Sequence, residues 1–331
     1  MSLRATGAAV VIALTAVGMA FAQQSPVVGA IGDLHPQARI HLGKTADWVV
    51  ASEGAVWIGG TTPNAVHRID PMTNHEVAAV LLPGDPCSGL AVGFGAVWVP
   101  LCADRPMLAR VDLETNAVKL FPIGPAGPEG GIATSDDSVW MVTDHAGTLA
   151  RIAPSNGVVR QVVSVPPGSY NPHYSDGVVW VTGNDAGVVT AVDAGTGAIL
   201  AKVPTGPKPR FLTDGEGAIW TLNQGDGSLT RIDAHTHKVT ARIDLGMKGT
   251  GGDIAYGAGI IWTTLQGVPL SATDAMADRV VRQWAGPGGD SLGIAFGSVW
   301  LTDYDRGDVL RIRLNDALPK PSGSPPSSVD K

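Results

Sequence analysis

The sequence predicts an all-β chain folded as a seven-bladed β-propeller, and three observations predict it. One phrase of apolar residues around a Trp is spelled seven times: AVWI (55–58), AVWV (96–99), SVWM (138–141), VVWV (178–181), AIWT (218–221), IIWT (260–263) and SVWL (298–301). The Trp residues in it, Trp57, Trp98, Trp140, Trp180, Trp220, Trp262 and Trp300, stand 38–42 residues apart. A second phrase follows each of them, in its fullest form apolar-x-Arg-Ile-Asp, as in VHRID (66–70) and LTRID (229–233). The composition agrees: 43 Gly and 24 Pro with only 16% charged residues suits short strands and many turns better than helices.

Within one unit the order is constant. A Gly/Pro stretch such as GDPCSG leads into a short apolar run, and the Trp run and the Arg-Ile-Asp run come next. Thr/Asn/Gly turns such as PMTNHE follow, and an alternating run such as EVAAVLL ends the unit. Four runs with the two-residue period of a strand make a four-stranded sheet of about 40 residues. One such sheet cannot bury both faces alone, whereas seven stacked around an axis bury them against each other. The Trp of the second strand fills the space between blades. Trp48 and Trp284 lie outside the pattern and are expected in the core as well.

The ends support ring closure. The seventh unit runs out after LRIRL (310–314), without an outermost strand, while ARIHLG (38–43) is an orphan run ahead of the first unit. Pairing the two latches last blade to first and leaves no open edge. The propeller then spans 37–315, preceded by a linker at 23–36 and followed by a Pro/Ser-rich tail at 316–331, expected to be disordered. Residues 1–22 combine one positive charge, an apolar run and Ala20-Phe21-Ala22, which reads as a signal peptide cleaved after Ala22. The alternative, a membrane anchor, fits poorly with so short an apolar run. The mature chain is expected in the periplasm or outside the cell, without a membrane span and as a monomer.

Two cysteines fit that compartment. Cys87 and Cys102 flank Phe94-Gly95 symmetrically, so a regular hairpin centred there sets them opposite each other, within disulfide reach. A bulge would shift the register and leave two buried thiols. A zinc or redox pair is disfavoured, for no CxxC spacing and no nearby His occurs. The formal net charge of −7 and the lack of a Lys/Arg cluster argue against a nucleic-acid partner. No G-x-S-x-G elbow signals a serine hydrolase, and the Asp-rich pieces NDAG and DYDRG are explained by turn formation better than by Ca²⁺.

The recurring text G-(A/S)-V-W-V … R-I-D … G-x-x-P-x-G-(I/L)-A resembles the YVTN-repeat propellers and the related streptogramin-lyase-like (virginiamycin B lyase-like) proteins, over residues 38–314. The group includes exported proteins of unassigned role, taken to bind or scaffold partners, and lyases that open a cyclic depsipeptide antibiotic with a metal. The lyase pattern, P-H-G-I before the Trp strand and W-F-T-E within it, is not reproduced. Pro128-Glu129-Gly130-Gly131-Ile132 has Glu where the His would stand, and of the positions three after each Trp only Asp303 is acidic. Pro172-His173 lies four residues too close to its Trp. The resemblance leaves two readings: a periplasmic binding propeller for a small molecule or protein, or a metal-dependent lyase or lactonase-like enzyme, for which a divalent Mg²⁺ or Ca²⁺ is implied.

Under either reading the site is expected at the channel mouth, where the loops leading into the inner strands meet those after the Trp strands. The consensus there is small and Pro/Gly-rich, so single polar copies stand out. Glu129, His173 and Asp303 are the candidates for acid/base or metal-ligating roles. Tyr170, Asn171, Lys208, Arg210, Asn223, Asp253, Asp290 and Tyr304 are the candidates for ligand binding.

Overall fold

The seven copies fold into seven sheets, each built from consecutive strands in chain order. The computed structural model describes residues 26–247, 249 and 251–318. The expected signal peptide (1–22) and the end of the expected tail lie outside these residues. Blade 1 shows the pattern: an inner strand Thr45–Ser52, the Trp strand Ala55–Thr61, a third strand Ala65–Asp70 and an outer strand His75–Leu81. The inner strands of blades 3 to 7 are Ile132–Thr134, Ser169–Ser175, Pro209–Gly215, Ile254–Gly257 and Leu292–Ala295. That of blade 2 is broken into Asp85–Pro86 and Ala91–Gly93.

Burial explains the sequence phrases. Nearly every residue of the Trp strands is buried, because both faces are sandwiched between neighbouring blades, whereas outer strands such as His75–Leu81 are mostly open to solvent. The seven repeat Trp rings are fully buried. Each sequesters apolar area on the order of 4–6 kcal/mol before entropy is counted. The Arg of the second phrase sits directly across the ladder from its Trp, as in Trp57↔Arg68, Trp140↔Arg151, Trp220↔Arg231 and Trp300↔Arg311. Its guanidinium stacks on that ring at 5.0–5.5 Å in these four blades. The same Arg reaches into the next blade: Arg151 donates to the Gly195 carbonyl, Arg231 to Asp278, and Arg311 to Asn74. The Asp of the phrase closes the turn after it, as where Asp233 accepts from the Thr236 N–H and hydroxyl. One short motif thus ties a ring, a turn and the neighbouring blade together.

The latch forms as expected. Ala38–His41 pairs antiparallel with Asp308–Arg313 of blade 7, and both Arg39 and His41 bond Asp308. Within the segment read as a linker, Val27–Ala30 instead form a fifth strand on blade 6, parallel to its outer strand Arg279–Ala285. The reason is Trp284: it stands opposite Gly29 on that outer strand, and the N-terminal segment covers it. Leu34 joins the same apolar cluster as Trp262, Trp284 and Ala317. Across the expected boundary between propeller and tail, Leu314–Ala317 make one helical turn that buries Ala317 there.

Cys87 and Cys102 form a disulfide with Cα atoms 5.7 Å apart. The hairpin register holds near its turn (Ala91↔Trp98) but slips by two residues above it, so that Asp85 opposes Cys102. Cys87 lies in the break between the two pieces of the inner strand. The bond therefore spans the bulge instead of a regular ladder.

Candidate functional site

The inner strands run from the mouth loops to the hairpins at the other rim and enclose a channel of about 460 Å³ bordered by all seven blades. At the mouth end the channel is crossed by Trp48 of blade 1, whose ring meets Phe211 of blade 5 at 5.9 Å. A bulge sends it there: Asp47 pairs with Gly59 and Val49 with Ile58, which leaves Trp48 unpaired with φ +55°. Such a backbone is costly for a bulky residue. The Asp47 carboxylate accepts the Trp48 N–H and holds the turn. Gly89 of blade 2 packs beside the ring.

Above Trp48 lies a cleft of about 70 Å³ bordered by Asp47, Asp85, Glu129, Tyr304 and the disulfide loop. Glu129 is held in the left-handed region at φ +61°, and its N–H donates to the Cys87 carbonyl. The disulfide thus buttresses the loop that presents this carboxylate. Burial, then the charges of Asp290 and Glu129, push the Asp47 carboxyl well above its ordinary value. Burial, then Asp290, raise Glu129, with Arg210 opposing. Burial also raises Asp290 and lifts Asp253 to about 6, although Asp253 accepts from the Ser291 hydroxyl. Burial first, and then Asp47, Asp85, Asp290 and Glu129, raise the Tyr304 hydroxyl. The Arg210 guanidinium stacks on Tyr170 at 4.0 Å and faces this acidic set from blade 5.

The expected residues therefore divide. Glu129, Asp253, Asp290, Tyr304, Tyr170 and Arg210 converge on the mouth. Asn171 braces it, donating its amide to the Arg210 carbonyl at 2.8 Å. Asp303 accepts from Arg306 beside a glycine-lined groove of about 440 Å³ between the blade 6 and 7 loops, which Asp290 and Tyr304 also border. Asn223 is fully buried and donates to Ser228 and Thr230, so it serves the sheet. Lys208 is exposed on a separate hollow with Asp185. His173 lies within the inner strand of blade 4, where its Nε2 meets Asp214 at 2.9 Å. Glu129, His173 and Asp303 thus stand in three different surroundings, and among the described residues no three His, Cys, Asp or Glu side chains group as a metal would need.

Asp47, Trp48 and Asp214 were not among the expected site residues. A signal for the first two was present: Trp48 stands where other copies have Gly89 and Gly131, and Asp47 precedes it.

No family model and no curated protein matches the chain. Among solved structures it is similar to BamB from Moraxella catarrhalis, with a TM-score of 0.59 at 12% identity, covering 85% of this chain and 99% of that one. Likeness at that identity carries the fold alone, and with the seven sheets it makes the chain a seven-bladed β-propeller.

Proposed function

We propose that the chain is an exported propeller whose mouth binds a cationic group, on a small molecule or on a periplasmic protein partner. The observation that carries this reading is the convergence of Asp47, Glu129, Asp253 and Asp290 at one end of the channel, each held above its ordinary pKa first by burial; the Asp290 charge adds to the rise of the other three, and Asp305 to that of Asp290. Carboxylates packed this way repel one another, and an arriving cation relieves the repulsion. Export is supported by the signal-like residues 1–22 and by the disulfide, which persists in oxidising compartments. A binding role is favoured over the metal-dependent lyase or lactonase reading because Glu129, His173 and Asp303 are not brought together.

The test is calorimetric titration with arginine ethyl ester, and with glutamate as the anionic control. The ester is expected to bind, more tightly at pH 7 than at pH 5 as the raised carboxyls ionise, and the Asp47→Asn/Glu129→Gln variant to lose about tenfold or more. Glutamate binding as well as the ester would overturn the reading. So would a stoichiometric Mg²⁺ or Ca²⁺ site that the ester cannot displace.

A further inference from the structure

We propose that a hollow between blades 2 and 3, on the rim opposite the mouth, is a second site, which takes a small aromatic carboxylate. The hollow measures about 390 Å³ and is bordered by Phe94, Arg110 and Lys119 of blade 2 and by Pro154 and Ser155 of blade 3. That volume falls in the range of small-molecule sites. Phe94 is exposed, Arg110 and Lys119 bring positive charge, and no Asp or Glu borders the hollow among the described residues. The inference shares no residue with the mouth reading and does not depend on it.

Blade 2 divides among three residues what one Arg does elsewhere. In blades 1, 3, 5 and 7 that Arg stacks on its Trp ring and bonds to the next blade. In blade 2 the ring stacked on Trp98 is Phe121, at 6.0 Å, and the bond to the next blade comes from Lys119, whose ammonium donates to the Ser155 carbonyl at 2.9 Å. Arg110 stands opposite Trp98 on the ladder, yet its guanidinium donates to the Phe94 carbonyl at 3.1 Å and to the Asp112 carboxylate at 3.5 Å. The second contact is long, and the other Asp112 oxygen is taken by the N–H groups of Glu114 and Thr115 and by the Thr115 hydroxyl. The guanidinium is thus left with unspent donors beside the hollow.

The hairpin residue changes along with the Arg. Four residues before the Trp, blades 1, 3, 4 and 5 carry an acid: Glu53, Asp136, Asp176 or Glu216. Blade 2 has Phe94 there, exposed and held at φ +56°, where a bulky side chain is costly. The change takes a carboxylate away from the hollow and puts an open aromatic face in its place. Blade 7 is the internal comparison. Phe296 holds the same position and Arg311 also bonds its carbonyl, at 3.2 Å, but Arg311 is buried, stacked on Trp300 and bonded to Asn74. A guanidinium and an ammonium beside an exposed ring match an aromatic carboxylate, its anion paired with Arg110 and Lys119 and its ring against Phe94 and Pro154.

The experiment titrates the full chain with naphthoate, with naphthalenemethanol as the uncharged counterpart and acetate as the anion without a ring. Naphthoate is expected to bind one to one, about tenfold tighter than the alcohol, with acetate weakest. Arg110→Ala and Phe94→Glu bring in residues that other blades carry at the same positions, Ala191 and Ala272 for the first, Glu53 and Glu216 for the second. Both variants should therefore fold, which circular dichroism checks, and each should weaken naphthoate about tenfold or more. Phe296→Glu, the same change in blade 7, should leave it unaltered. Alcohol or acetate binding as well as naphthoate overturns the proposal, as does a folded Arg110→Ala or Phe94→Glu that binds like the wild type, or an equal loss in Phe296→Glu. The two sites separate: naphthoate binding should survive Asp47→Asn/Glu129→Gln, and arginine ethyl ester binding should survive Arg110→Ala, so either reading can fail alone.

Discussion

The Trp strands and the inner strands lie side by side in every blade, yet they differ in kind. A Trp strand is the same object seven times, its ring and neighbours buried and, in six blades, its indole N–H paired. The inner strands share a backbone and little else. One bulges to turn Trp48 into the channel, one is broken at Cys87, and one carries His173 and Ser175 to Asp214. Stability is repeated where blades touch, which leaves the channel edge free to hold strained backbone and crowded charge. Those departures mark function better than the repeats do.

The largest expected effect contrasts two Trp residues. Trp98→Ala removes a ring packed between blades 2 and 3 and should cost about 3–5 kcal/mol in denaturant unfolding. Trp48→Gly should cost clearly less, because one side of that ring borders a cavity and its φ of +55° suits Gly. Equal costs would break the distinction between the two regions.

The disulfide joins them. Replacing both Cys87 and Cys102 by Ser should cost about 2–4 kcal/mol. Because the Glu129 N–H rests on the Cys87 carbonyl, mouth binding should weaken in the same variant. Stability lost with mouth affinity unchanged would show that the loop needs no such support.

The legible part of the fold is the repeated part. Seven Trp phrases, the Arg-Ile-Asp phrase and the orphan strand at 38–43 reveal the blades and the latch, because packing between identical neighbours demands the same residues each time. The strand Val27–Ala30 was not legible, since covering Trp284 is a need that arises once. At the mouth, Glu129, Arg210, Asp253 and Asp290 were visible as departures from a small-residue consensus. His173 and Asn223 looked equally promising, yet one faces Asp214 within a strand and the other is buried in the sheet. Loop sequences say which residues are unusual, and the ends of strands decide which of these meet.

The two regions should also titrate apart. The turn aspartates Asp70, Asp112, Asp193 and Asp233 lie below their ordinary values, mainly through backbone N–H bonds, so the stability they give is present above pH 4 and lost as pH falls further. The mouth carboxyls are raised, so their contribution runs the other way: it is full below about pH 4 and is lost as pH rises through 6, where Asp253 ionises. The thermal midpoint is expected to peak near pH 5 and fall on both sides. Asp47→Asn should flatten the limb between pH 5 and 7 and leave the acid limb unchanged. A midpoint that rises steadily to pH 7 would contradict the assignment of strain to the mouth.

The smallest effect tests the comparison most sharply, since it uses one substitution in two blades. Ser135 accepts the indole N–H of Trp140 at 3.0 Å, and Ser135→Ala should strand that buried donor, at about 1–3 kcal/mol. Ser175 occupies the same place in blade 4, but the Trp180 N–H is already unpaired, so Ser175→Ala removes only a half-exposed bond to Asp214. Its cost should be under about 1 kcal/mol. Matched unfolding curves of the two variants decide it. If both substitutions cost the same, Trp180 is satisfied in solution, and blade 4 belongs with the repeats.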